Sequence, residues 1–213
     1  GSAGHRVVIE QFLVGEEASF IVMADGRNAL SMASSQDHKA LLDGDLGPNT
    51  GGMGAYSPAP VVTNSVHDRA LSEVILPTLR GMADEGHPYT GFLYAGLMVA
   101  PNGDIRVLEF NCRLGDPETQ PIMMRLKSDL TALCLGALSG QLDRMEAIWD
   151  SRPALGVVLA AGGYPDTVRK GDLISGLPEN EGLEIKVFHA GTRLEGDNVL
   201  TSGGRVLCVS ALG

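Results

Sequence analysis

Apolar and polar positions change period several times along this chain, and each change predicts an element. Val7 to Phe12 is a short β-branched run that reads as a strand. Glu17 to Ala24 and Arg27 to Met32 flank Asp25-Gly26, a pair favoured in tight hairpin turns. From Asp43 to Pro60 periodicity vanishes: five glycines and three prolines fill the stretch, which predicts a long loop ordered for a purpose. Ser65 to Glu85 then carries Val66, Ala70, Leu71, Val74, Ile75, Leu79 and Met82 at helical spacing, with Ser65 and Asp68 as a capping box, Gly86 after the end and Pro77 as a kink. A second hairpin is predicted from Phe92 to Ala100 and Asp104 to Asn111, across Pro101-Asn102-Gly103. Asp116-Pro117 offers a cap with proline in the first helical position, and helical spacing continues to about Ser139 with a break near Ser128.

At Ser151-Arg152-Pro153 the pattern shifts to short strands, Leu155 to Ala161, Leu183 to Ala190 and Arg205 to Ser210, between Gly- and Pro-rich turns. The reading is an α+β unit over residues 1–150 followed by a smaller β-rich unit over 151–213. The chain enters a strand by Val7 and stops just after one at Gly213, so it is expected to be part of a longer molecule.

Composition narrows the function classes. With 44% hydrophobic and 20% charged residues among 213, the chain has enough apolar content for a packed core. A formal net charge of −10 argues against nucleic acid as a partner, because phosphate binding needs a basic surface. One Trp, four Tyr and five Phe leave few platforms for stacked bases. The sequence has neither a run of about 18 apolar residues nor a signal-peptide pattern, so no membrane is expected. Cys112, Cys134 and Cys208 lie far apart without metal-ligand spacing, which fits reduced thiols in the cytoplasm.

The sharpest candidate chemistry is Glu109-Phe110-Asn111-Cys112-Arg113. Strand alternation puts Ile105, Val107, Glu109 and Asn111 on one face, so a carboxylate and an amide oxygen point the same way. Both are hard oxygen ligands suited to Mg²⁺ or Mn²⁺, and Arg113 adds a planar fork for phosphate. The same residues also read as a strand-end Glu paired with a nearby Arg. Gly47-Pro48-Asn49-Thr50-Gly51-Gly52-Met53-Gly54 reads either as a backbone cradle for an anion or as a surface connection, and it lacks the Gly-Lys-Ser/Thr ending of a Walker loop. Ser34 to Lys39 packs Asp37, His38 and Lys39 together, as a polar site or a solvated turn. His5, His67, His87 and His189 stand singly and read as structural or exposed.

Four ordered stretches carry a family resemblance: Ser35 to Lys39, Gly47 to Pro58, Leu108 to Arg113, and Gly115-Asp116-Pro117-Glu118-Thr119-Gln120. Ala160 to Pro165 and Gly203 to Val209 extend it over essentially the whole chain. Together they resemble the glycinamide ribonucleotide synthetases of the ATP-grasp family. The resemblance implies an ATP-grasp core portion with a β-rich C-terminal unit, and a ligase in purine synthesis. There, glycine takes the γ-phosphoryl of ATP, and the amine of 5-phosphoribosylamine attacks the glycyl phosphate. It implies that Glu109 and Asn111 hold Mg²⁺ or Mn²⁺ and that Arg113 clamps the transferring group. Glu10-Gln11-Phe12-Leu13 matches the adenine-binding hinge strand, with Gln11 and Leu13 reading adenine through their backbone and Glu10 beside them. Glu17 matches the acid that accepts the ribose hydroxyls, with Glu16 next to it. The Gly-rich loop and Asp116 to Gln120 would then face glycine and phosphoribosylamine.

The chain also departs from the family. The N-terminal domain, the lid with its glycine-rich loop and lysine, and a final helix are not in this sequence. The strand from Phe92 to Val99 lacks the carboxylate many ATP-grasp proteins place there, so the metal site is expected to be lean. Ala40 stands where a basic residue is common, and Leu114 where an aromatic is. Two further readings are another carboxylate–amine ligase of the superfamily, and a nucleotide-binding piece without turnover.

Overall fold

A computed structural model describes residues 5–179 and 182–213. In chain order the strands are β1 (Glu16–Asp25), β2 (Ala29–Ser31), β3 (Gln36–Asp37), β4 (Ala40–Leu42), β5 (Leu46–Asn49), β6 (Gly54–Ser57), β7 (Thr90–Val99), β8 (Ile105–Asn111), β9 (Ala154–Ala160), β10 (Ile185–His189), β11 (Thr192–Glu195), β12 (Asn198–Thr201) and β13 (Arg205–Leu212). Helix α1 (Asn64–Arg69) runs through a π-helical turn (Ala70–Ile75) into α2 (Leu76–Asp84), and α3 (Thr119–Arg125) and α4 (Leu130–Leu138) follow β8.

The first sheet is antiparallel in the order β2-β1-β7-β8. Both predicted hairpins are present, β1 with β2 and β7 with β8. Alternation along β1 divides the core. Phe20, Val22 and Ala24 join Leu93, Ala95, Leu97 and Val99 of β7 under Val66, Ala70, Val74, Ile75 and Leu79 of the α1–α2 run. Ile21 and Met23 point the other way, toward Ile122 of α3 and Leu133 and Ala137 of α4. A two-residue period thus buries both faces of β1, because helices cover each side.

Several expectations change. Val7 to Phe12 is not a strand: Val7, Val8, Ile9 and Phe12 are exposed, and none of the described strands pairs with them. A β-branched run becomes a strand only when a sheet edge receives it. The long helix is capped by Thr63, whose Oγ1 accepts from Val66 N, and not by Ser65. Asp116 caps no helix. The Asp116-Pro117 bond is cis, α3 begins at Thr119, and the Asp116 carboxylate turns to Arg205 instead. The stretch from Asp43 to Pro60 is a loop only in part, since β4 and β5 form a small hairpin and β6 enters a sheet. The β11–β12 hairpin has no counterpart in the sequence reading.

The second sheet has the order β10-β13-β9-β6-β3. It joins strands from both sides of Ser151, because β6 pairs with β9 from Gly54↔Val157 to Ser57↔Ala154. Val206 and Leu207 pack with Ala161 beneath it. This shared sheet carries the Gly-rich loop to the end of β8.

Candidate active site

β8 delivers the central side chains through an irregularity. Leu97 pairs with Val107, but Gly96 pairs with Glu109, so Leu108 is one extra residue, a β-bulge. Opposed residues share a face. Ile105 and Val107 therefore follow Val99 and Leu97, whereas Glu109 and Asn111 follow Gly96 and Tyr94 onto the opposite face. The expectation that all four share one face is corrected for the first pair, while Glu109 and Asn111 do remain co-facial. Gly96 leaves the space for this: a Cβ there would sit 3.3 Å from Glu109 Cγ.

Glu109 and Arg113 line a polar cleft of about 180 Å³ with Asp37, Lys39, Asp116 and Glu118. Arg113 is exposed, and its Nη1 donates to the Leu114 carbonyl at 2.9 Å. Asn111, half-buried, sits two residues from Glu109 on the same face. Lys39 donates to Glu17 at 2.8 Å, and the two also line an adjoining cleft of about 310 Å³ with Gln36 and Asp37. Glu16 lies in that cleft as well, accepting from Gln36 at 3.4 Å. Burial alone would pull the Lys39 ammonium down, but the Glu17 hydrogen bond and the charges of Asp37 and Glu109 outweigh it and hold its pKa above the ordinary value. Glu10, Gln11 and Leu13 stand apart from these groups. They line a separate cleft of about 380 Å³ beside Met98, Arg106 and Leu108, at the far end of β8 from Asn111.

The structure gives individual contacts to residues that the sequence reading either took only as part of the stretch Asp116 to Gln120 or left out of the site. Glu118 is buried, 2% exposed, and accepts from Ser19 Oγ at 2.7 Å, while Ser19 Oγ also bonds Tyr94 Oη at 2.9 Å. Burial, and then the Glu118 charge, push the Tyr94 phenol up. Arg205, at the start of β13, ties three segments together. Its Nη1 donates to the carbonyls of Gly51 at 2.6 Å and Asp116 at 2.8 Å, and its Nη2 to Asp116 Oδ2 at 3.0 Å. Tyr164 Oη accepts from Gly51 N at 3.0 Å. Gly52 has φ +109°, and a Cβ there would lie 2.4 Å from Pro117 Cδ, so only glycine permits this closure. The motifs containing Arg205 and Glu118 were visible in the sequence, but only folding puts them in one place.

Comparison with known proteins then decides the family. Residues 1–119 match the description "Phosphoribosylglycinamide synthetase, ATP-grasp (A) domain", and residues 154–213 match "Phosphoribosylglycinamide synthetase, C domain". The chain belongs to the phosphoribosylglycinamide synthetase family. It is 68% identical over 213 residues to the phosphoribosylamine–glycine ligase of Allochromatium vinosum and 67% to that of Vibrio cholerae, covering all of this chain and 50% of each relative. The chain therefore spans about half the length of the curated relatives it matches. The crystal structure of the Thermotoga maritima phosphoribosylamine–glycine ligase superposes with a TM-score of 0.85 at 40% identity, over 96% of this chain and 50% of that one. A biotin carboxylase from Campylobacter jejuni shares the fold at 12% identity, with a TM-score of 0.66 over 96% of this chain and 43% of that one. These matches agree with the expected α+β ATP-grasp architecture and β-rich C-terminal unit of this synthetase family member. Among the described residues no helix is long and apolar enough to cross a membrane.

Proposed function

We propose that this chain contributes the phosphoryl-transfer and glycine-handling part of an ATP-dependent ligase that joins glycine to 5-phosphoribosylamine in the cytoplasm. The observation that carries the reading is the meeting of Glu109, Arg113, Asp37 and Lys39 around one cleft, in a chain 68% identical to a ligase named for this reaction. Glycine's carboxylate needs activation because oxide is a poor leaving group, and phosphorylation by ATP supplies a better one. Catalysis of such a transfer is largely positioning and charge stabilisation. Arg113 serves as the exposed fork for the transferring phosphoryl group, and Glu17, held by Lys39, is placed to accept ribose hydroxyls. The cleft at Glu10, Gln11 and Leu13 is the adenine site, where Gln11 and Leu13 use backbone groups.

The donor set suits a hard divalent ion. Glu109 and Asn111 offer a carboxylate and an amide oxygen on one face. Among the described residues no three His, Cys, Asp or Glu side chains converge as a metal cage. An Mg²⁺ or Mn²⁺ ion held here would complete its shell with phosphate oxygens and water, as Mg²⁺ commonly does. When bound, such an ion neutralises charge on the ATP phosphates.

The test is ADP release by the full-length protein carrying this chain. It should require both glycine and phosphoribosylamine, and Glu109→Gln should raise the Mn²⁺ concentration giving half-maximal rate. ADP release indifferent to glycine would overturn the reading, and release supported equally by another small carboxylate would redirect it to a different ligase.

A further inference from the structure

Tyr94 lines the cleft of about 180 Å³ beside Glu109, yet phosphoryl transfer as read above gives it no task. Strand register puts Ser19 of β1, Gly96 of β7 and Glu109 of β8 in one row, with Ile21, Tyr94 and Asn111 in the next. Tyr94 and Gly96 lie two apart on one strand and so share a face. An aromatic side chain can reach a diagonal neighbour on the adjacent strand. Tyr94 Oη accordingly meets Ser19 Oγ at 2.9 Å, and Ser19 Oγ donates to Glu118 Oε1 at 2.7 Å. A hydroxyl has one proton to give, so Tyr94 is the donor to Ser19. All three residues are buried. Glu118 is itself tightly packed, since a Cβ on Gly115 would fall 2.5 Å from its carboxyl carbon. The route to Ser19 is open because Gly96 has no side chain. A Cβ there would lie 3.4 Å from Tyr94 Cε1 and 3.3 Å from Glu109 Cγ, so ring and carboxylate stem converge on one spot.

We propose that Tyr94 is a positioning residue for Glu109: anchored through Ser19 to Glu118, its ring is the wall that sets where the Glu109 stem can stand. The inference rests on the reading of Glu109 as a ligand to Mg²⁺ or Mn²⁺ and extends it to the groups behind that ligand. The anchor favours this over simple core filling. Ser19 gives its proton to a carboxylate, which makes the bond charge-assisted and strengthens the Tyr94 bond behind it. The ring cannot swing away without leaving buried polar groups unpaired. Glu109, by contrast, is exposed, and among the described residues no hydrogen bond or ion pair restrains its carboxylate. Packing against its stem is therefore what confines it. A confined stem loses less rotamer freedom when an ion binds, which is how groups behind a ligand raise metal affinity. Through two hydroxyls, the turn before α3 thus acts on the strand that carries Glu109.

The experiment uses the full-length protein carrying this chain and reads Mn²⁺ binding in the presence of ADP, by water proton relaxation and without turnover. Tyr94→Phe keeps the ring and removes its anchor. It should raise the Mn²⁺ dissociation constant about tenfold, the low end for groups behind a metal ligand, with metal-free ADP binding changed less than about twofold. Gly96→Ala, which puts a methyl group between ring and stem, should weaken Mn²⁺ in the same way. Both act by displacing Glu109, so the double variant should fall short of the product of the two single effects. Unchanged Mn²⁺ binding in either single variant would overturn the assignment, and so would effects that simply multiply. A loss falling equally on ADP would mark a general loosening of the fold and overturn it as well. Glu109→Gln keeps the two failures apart. If it leaves Mn²⁺ binding intact, the metal reading itself falls; if it weakens Mn²⁺ while Tyr94→Phe does not, only the positioning role falls.

Discussion

Arg113 lies in the exposed turn after β8, where its guanidinium has one carbonyl partner, leaving most of its donors for a ligand. Loss of a single preorganised charge stabiliser typically costs about 2.7–4 kcal/mol of transition-state stabilisation. Arg113→Ala is therefore expected to lower kcat about a hundredfold or more in steady-state ADP assays, and a near-normal kcat would remove it from the phosphoryl site. Asp37 has a different signature, in stability. Its pKa in the fold is raised from 3.8 to about 7, so the stability it contributes is fully present below about pH 4 and lost as pH rises through 7. Asp37→Asn, which cannot ionise, should melt above the parent at pH 8 and alongside it at pH 4. Thermal denaturation at the two pH values checks this, and an equal difference at both would be the contrary result. Of these residues, Glu109, Asn111 and Arg113 were legible because they alternate within five residues at the end of β8 and just past it. That Asp37 Oδ1 is shut from solvent without a hydrogen-bond partner was not, since it depends on what Lys39 and Arg205 bond instead.

At the scale of elements, the Gly-rich stretch shows how a segment without periodicity becomes ordered. Thr50 N and Oγ1 both donate to the Lys39 carbonyl, at 2.7 and 2.8 Å, Met53 N donates to His38 O at 2.8 Å, and Arg205 gathers Gly51 and Asp116. The loop is held by backbone groups answering partners far away in sequence, a pattern invisible to hydrophobic spacing. Arg205→Ala should free residues 43–54 at a cost of about 1–3 kcal/mol, the range for charged hydrogen bonds on a partly exposed group. Limited proteolysis should then cut there well before the parent is cut, and equal protection would show that the latch is dispensable. The bulge at Leu108 teaches a similar lesson. Sequence alternation carried Glu109 onto the face of Val107, and the pairing of β8 with β7 put it on the other.

Across the whole molecule, the composition change near Ser151 does not coincide with a break in hydrogen bonding. β6 is laddered to β9, Arg205 reaches the Asp116 turn, and Tyr164 reaches Gly51. Trp149, the single tryptophan, packs against Ile21, Met32, Tyr94 and Ile122 on the near side of that junction. Elements sharing a sheet and a charged latch should open together. Trp149 fluorescence and amide-exchange protection along β13 are expected to be lost at the same urea concentration, whereas two separated midpoints would mean independent units.

By itself the sequence determined the two hairpins of the first sheet, the long helical run and its partner helices, because each depends on local period and turn chemistry that any window of residues contains. It also determined the family, through motifs whose order needs no coordinates. Only the tertiary structure decided that Val7 to Phe12 goes unpaired among the described strands, that a bulge turns Glu109 toward the polar cleft with Asn111 on the same face, and that Arg205 ties the Gly-rich loop to the Asp116 turn. Those outcomes are set by which distant backbone edge or side chain each group meets. That competition among partners is resolved only when the sheets form, and no local pattern records it.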